Sequence, residues 1–251
     1  MHPRDVAAPG PGTPVAGPVL LQGGAEMQPG CREMDEAFVA LAGVGPLVVL
    51  LGAATPGADH SRSSKRALRY YAPLAADRRV TVAPHPQDDL DGCLAAVATA
   101  AVVVLPGGSP SRLLDGLRGD GGRLGAVLVQ RHAAGAALSG SSAGAMVLCA
   151  RTAQPDRGGP SGLVVHDGLG LVPGLAVVHD DGSSRGRWSD PADPDGLRWG
   201  LPEQGGVLVH RGTVQAVGQG HPRLLRRGSG VTLGSQPVRL EELLQGEPRS
   251  T

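Results

Sequence analysis

The 251-residue sequence predicts an α/β fold built on a largely parallel sheet, and three observations predict it. Its apolar runs are short and continuous rather than alternating, the pattern of strands buried on both faces. Most of the runs stop at glycine, where a strand gives way to a turn. Segments with helical spacing lie between them, and strand and helix alternate five times. Such alternation argues right-handed crossovers and a three-layer sandwich, with helices flanking both faces of a central sheet.

Taken in order, the first strand is Pro18 to Gln22, ending at Gly23-Gly24. Glu33 to Ala42 follows as a helix with Met34, Phe38 and Leu41 on one face. Pro46 to Leu51 is the second strand, and Ser61 to Ala75 a helix that groups Leu68, Tyr71 and Leu74. Val80 to Ala83 is the third strand and Leu90 to Thr99 the next helix. Ala101 to Leu105 ends at Pro106-Gly107-Gly108, and two helical stretches follow, Ser109 to Leu117 and Leu124 to Ala133. The fifth strand, Ala136 to Ser139, ends at Gly140. Beyond about residue 160 the texture becomes β-rich. Leu163 to Val165, Leu175 to Val178, Gly206 to Val209 and Thr213 to Val217 read as extra C-terminal strands, with His210-Arg211-Gly212 as a hairpin turn. Asp180 to Leu197 is polar and reads as a surface loop, and Val238 to Leu244 as a last short helix. The domain plan is a Pro/Gly/Ala-rich tail over 1–16, one α/β domain over 17–235, and a helix and tail over 236–251.

Composition excludes several classes. Lys and Arg number 23 and so do Asp and Glu, so the balanced charge gives no electrostatic reason to bind nucleic acid or an anionic membrane. No apolar run reaches the roughly 18 residues of a membrane span, and the first residues lack the basic-then-apolar order of a signal peptide. Cys31, Cys93 and Cys149 are widely spaced and form no CxxC pair, which reads as reduced thiols in a cytoplasmic protein. Ile and Asn are absent, so the core is built from Val, Leu and Ala.

The chemistry concentrates where the fifth strand turns into a helix. Gly140-Ser141-Ser142-Ala143-Gly144 fits the G-x-S-x-G nucleophile elbow. Small neighbours let a serine occupy a strained turn, with its hydroxyl at the sheet edge beside the N–H groups of a helix start. The rival readings of this stretch are close packing and a phosphate cradle. No Walker lysine follows, and Gly168-x-Gly170-x-x-x-Gly174 lacks the dinucleotide spacing. A serine nucleophile needs a base and an orienting carboxylate. His60, His85 and His132 precede the elbow and read as solvated, whereas His166, His179 and His210 follow strands, where sheet enzymes gather catalytic groups. Pattern does not choose among those three.

An ordered set of motifs over about residues 17 to 220 resembles the cyanophycinase and aspartyl dipeptidase (dipeptidase E) group of serine peptidases, whose fold is like that of class I glutamine amidotransferases (flavodoxin-like). The set comprises Leu20-Leu21-Gln22-Gly23-Gly24-Ala25-Glu26, Leu105-Pro106-Gly107-Gly108-Ser109, the elbow, Gly168-Leu169-Gly170-Leu171-Val172-Pro173-Gly174 and Trp199-Gly200-Leu201-Pro202-Glu203. The resemblance implies Ser142 as nucleophile, His179 as base and then acid, Glu203 as its orienting carboxylate, and the amides of Gly108 and Ala143 as oxyanion donors. Ser109, Arg112 and Arg185 are the candidate substrate contacts. The chain departs from the family pattern at Ser109-Pro110, Asp180-Asp181 and Pro202, positions that shape a substrate pocket. The order Ser, His, Glu differs from the Ser, acid, His of α/β-hydrolases.

The expected activity is a serine hydrolase that cleaves an amide next to an acidic residue through an acyl-enzyme on Ser142. It calls for no metal and no organic cofactor. The expected partner is a small peptide or amide, and a homodimer is compatible with it. The alternatives are an amidase or acyl transferase on the same fold, or a binding module that kept the elbow for packing. Contact between His179 and Ser142 separates an enzyme from that last class.

Overall fold

The computed structural model of the chain describes residues 15–51, 54, 57–155, 162–181, 196–226 and 229–245. The first half alternates as the apolar runs dictate: β1 (Val19–Gln22), α1 (Arg32–Ala40), β2 (Leu47–Val49), α2 (Gly57–Tyr71), β3 (Val80–Val82), α3 (Leu90–Ala98), β4 (Val102–Leu105), α4 (Pro110–Ala133), β5 (Ala137–Ser141) and α5 (Ala143–Leu148). The second half is mostly β: β6 (Cys149–Pro155), β7 (Leu163–Asp167), β8 (Val172–Val178), β9 (Arg198–Leu201), β10 (Gly205–His210), β11 (Thr213–Gly218), β12 (Arg223–Arg226), β13 (Ser229–Thr232) and β14 (Val238–Arg239), closed by α6 (Leu240–Gln245).

The central sheet has eight strands in the order β14-β11-β10-β1-β5-β4-β2-β3. The five strands from β1 to β3 in that order run parallel, and β10, β11 and β14 add antiparallel. Successive side chains of a strand point to opposite faces, and here each face has its own core. Leu21, Val103, Leu105 and Leu138 join α3, α4 and α5 on one side, while Leu20, Val102, Val104 and Ala137 meet Met34, Phe38 and Tyr71 of α1 and α2 on the other. That double burial is why the runs do not alternate. It confirms the three-layer architecture.

A second sheet, in the order β13-β12-β9-β8-β6-β7, packs onto the α5 side, where Ala176 and Trp199 enter the larger core. Apolar runs mark β7, β8, β10 and β11 in the sequence but not β6, β9, β12, β13 or β14. The last helix starts later than the Val238 expected from the sequence. Val238 and Arg239 pair with Val214 and Thr213 as a strand, and the helix begins at Leu240. The two helical stretches read after Gly108 are both present, joined through Gly119 to Gly122, whose backbone angles are not helical. Ser109 caps that element by accepting from the Arg112 N–H at 3.3 Å, with Pro110 in the first turn. Residues 1–14 of the N-terminal tail, 182–195 of the polar loop and 246–251 lie outside the described residues.

Candidate active site

The parallel pairing of β1, β4 and β5 brings three strand ends to one edge, with Gln22 beside Ser141 and Leu105 beside Gly140. Ser142 stands between β5 and α5 with φ +48° and ψ −112°, a conformation that costs a non-glycine residue of order 1–3 kcal/mol. Two contacts hold it there. Its N–H donates to the Gln22 carbonyl and its carbonyl accepts from Met146 N–H, each at 3.0 Å. The small neighbours are obligatory, since a Cβ on Gly144 would fall 1.9 Å from the Leu105 carbonyl oxygen.

His179 follows β8, and its backbone takes the left-handed conformation at φ +56°. Its N–H donates to the Gly23 carbonyl at 3.0 Å. The parallel pairing of β8 with β9 sets Val178 beside Leu201 and so carries Glu203 to the same edge. The imidazole bridges the two side chains: Nε2 lies 3.0 Å from Ser142 Oγ, and Nδ1 lies 3.0 Å from Glu203 Oε1. With Nδ1 as donor to the carboxylate, Nε2 is left to accept from the serine hydroxyl. The side chains of His179 and Glu203 are 44% and 58% exposed, so the bridge is open to solvent on one side.

Gly108 is exposed, on the loop between β4 and α4. The amides on either side of it are engaged, Gly107 N–H by Glu26 Oε1 at 2.9 Å and Ser109 N–H by the Ala54 carbonyl at 3.1 Å. Ala143 opens α5, where a helix amide has no carbonyl one turn behind it. Arg112 is exposed in the first turn of α4, and Ser109 spends its hydroxyl on the cap. Arg185 lies outside the described residues.

The other two candidate histidines are elsewhere. His166 sits within β7 opposite Thr152, and His210 ends β10 with its pKa lowered by burial and by Arg211. The histidines before the elbow are not the solvated groups expected. His85 is buried, and His132 is half-buried with Nε2 2.9 Å from the Gly17 carbonyl oxygen and its pKa lowered by desolvation. His85 lies in the loop after β3 and His132 in the last turn of α4. Burial pushes the Cys149 thiol up to about 12, which makes it a packing residue. The three cysteines are free and buried.

Two further groups support the bridge. Asp180, next to His179, receives Arg223 Nε and Nη2 at 3.0 and 2.7 Å. Behind the β1 turn, buried Asp35 accepts from Gln22 Nε2 and from Tyr70 Oη, and desolvation pushes its carboxyl up to about 6. Spacing arguments do not reach either pair, because each joins segments far apart in the chain.

The model of Peptidase family S51 matches residues 19–188, more than half of the chain. The chain belongs to peptidase family S51. This makes it a serine-type peptidase, and the match spans Ser142 and His179 and stops short of Glu203. A peptidase from an acI-B1 actinobacterium is similar in structure, with a TM-score of 0.74 at 20% identity over 90% of this chain and 98% of that one. A peptidase E protein from Listeria monocytogenes EGD-e aligns with a TM-score of 0.60 at 14% identity, over 82% of this chain and 100% of that one. At such identities the likeness is one of fold. No curated protein matches the S51 peptidase. Among its described residues no helix is long and apolar enough to cross a membrane, and no group of three or more His, Cys, Asp or Glu is placed to hold a metal ion.

Proposed function

We propose that this S51 peptidase hydrolyses an amide next to an acidic residue, through an acyl-enzyme on Ser142. The observation that carries the reading is the continuous bridge Ser142 Oγ–His179 Nε2 and His179 Nδ1–Glu203 Oε1, both spans at 3.0 Å. That is within the reach a nucleophile and its base require. Ser142 Oγ attacks the carbonyl carbon as its proton passes to His179 Nε2. Glu203 accepts from Nδ1–H and stabilises the imidazolium that forms. The oxyanion is received by the amides of Gly108 and Ala143. Collapse breaks the C–N bond, the amine leaves with the proton from Nε2, and the acyl group stays on Oγ. Water then attacks with His179 again as base and releases the carboxylic acid and free Ser142.

One cation near the Gly108 loop supports the preference for an acidic residue. Arg112 is exposed one turn beyond Gly108, and a guanidinium suits a carboxylate bidentately. Arg185 is the second candidate by sequence. The partner is then a small acidic peptide or amide. The test is a panel of aspartyl and neutral dipeptides assayed with wild type and Arg112→Ala. Selective loss on the aspartyl substrates is expected, and equal loss on both sets would count against carboxylate recognition.

A further inference from the structure

One pentapeptide touches every part of the site. The carbonyls of Gln22, Gly23 and Gly24 accept from the N–H groups of Ser142, His179 and Gln204, at 3.0, 3.0 and 3.1 Å. Gln204 is the residue after Glu203, so three successive peptide units hold the backbones of all three bridge residues. The fifth residue, Glu26, reaches further with its side chain. Oε1 accepts from Gly107 N–H at 2.9 Å and Oε2 accepts from Ser141 Oγ at 3.0 Å. These partners lie 81 and 115 residues away in the chain. Ser141 is itself buried, next to the nucleophile. The Gly107 backbone is pressed between the two: a Cβ there would sit 2.9 Å from Glu26 Oε1 and 3.2 Å from Ser142 Cβ.

We propose that Glu26 is a positioning residue, whose carboxylate clamps the Gly107–Gly108 loop to the elbow and so sets where the Gly108 amide points. The inference rests on the reading of Ser142 as nucleophile and Gly108 as oxyanion donor. The loop bears its donor on an exposed glycine that allows wide backbone freedom. An oxyanion hole must be preorganised, since a donor that has to reorient loses most of its effect. Gly108 has no side chain to fix it. The Glu26 carboxylate does so by holding the preceding peptide unit through Gly107 N–H, and the Ala54 carbonyl holds the following one. Both oxygens of Glu26 have a donor, so truncation frees the loop and the Ser141 hydroxyl together.

The test uses the full chain and a fluorophosphonate, whose phosphoryl oxygen enters the same hole when Ser142 attacks phosphorus and fluoride leaves. Second-order labelling rates are measured across the neutral pH range for wild type, Glu26→Ala, Glu26→Gln and Ser141→Ala, with thermal unfolding of each. Glu26→Ala is expected to label about 10²-fold more slowly at the pH plateau, the scale of an ångström-sized misplacement. The pH midpoint is expected to stay at the wild-type position, because His179 and Glu203 are not displaced. Glu26→Gln is expected to recover most of the rate, since its amide oxygen accepts from Gly107 and its NH2 donates to Ser141 Oγ. Ser141→Ala keeps the Gly107 contact and is expected to lose less than Glu26→Ala. If Glu26→Ala does not fold, Glu26→Asp, too short to span both donors, takes its place with the same expected loss. Wild-type rates in the truncated variants, or a loss that appears as a shifted midpoint, would overturn the clamp while leaving the nucleophile standing. A folded wild type that is never labelled at Ser142 would overturn the reading beneath it.

Discussion

Gly24→Ala is the substitution whose effect the geometry determines most sharply. A Cβ on Gly24 would lie 2.3 Å from His179 Cε1 and 2.6 Å from Nδ1, against the 3.4 Å at which ordinary contact begins. The ring must therefore retreat by about 1 Å, or the turn must. Both hydrogen bonds of the ring span 3.0 Å, and such a bond is lost beyond about 3.5 Å. A retreat of that size breaks at least one of them. Reactivity of Ser142 is expected to fall by about 10²-fold or more. The backbone of Gly24 sits at φ +144°, so alanine also costs roughly 1–3 kcal/mol of stability. The assay is the fluorophosphonate labelling rate, with unfolding followed in parallel to separate a displaced ring from an unfolded chain. A folded Gly24→Ala protein that labels at the wild-type rate would refute the packing of His179 on the β1 turn.

Three further outcomes follow from named contacts. Glu203→Gln keeps a hydrogen-bonding partner for His179 but loses the charge that stabilises the imidazolium, so kcat is expected to fall by about 10³–10⁴ with KM little changed, read by steady-state kinetics on an aspartyl dipeptide. Asp35 is protonated more readily in the fold than in the unfolded chain, because desolvation raises its carboxyl to about 6. Its contribution is then full below about pH 4 and is lost as pH rises through 6, by up to about 3 kcal/mol. Denaturant unfolding of Asp35→Asn is expected to lack that loss, and an unchanged pH dependence in the variant would contradict it. Asp180→Ala removes a carboxylate whose side chain is 5% exposed and strips its bidentate contact from half-buried Arg223. A destabilisation of about 2 kcal/mol is expected, discounted for the exposure of the arginine, with slower labelling because His179 is the adjoining residue.

The parallel half of the fold is legible because its strands carry side chains into two cores, which leaves continuous apolar runs such as Val102 to Leu105. The β-rich half is harder to read. Arg198–Leu201 and Arg223–Arg226 put arginine at their ends, and they find their places only by pairing, with each other and with β8 and β13 on either side. Val238 and Arg239 are both exposed, so nothing in their polarity marks them as a strand; pairing to β11 does. At the site, the elbow is readable because the turn tolerates only small neighbours. The choice of His179 over His166 and His210 is not readable from pattern, since all three follow apolar runs. Strand pairing is what sets His179 apart, by placing Val178 beside Leu201 and so bringing Glu203 to its ring. Glu26 is visible as part of a Gly-Gly-x-Glu turn, yet its partners Gly107 and Ser141 come from two other strand ends that only the parallel sheet brings together.

The most direct test of the account is fluorophosphonate labelling of the full chain, with the adduct mapped by mass spectrometry, beside Ser142→Ala. The account predicts one adduct, on Ser142, and a variant that folds like the wild type and takes no label. A folded wild type without an adduct, or equal labelling of Ser142→Ala, would contradict it.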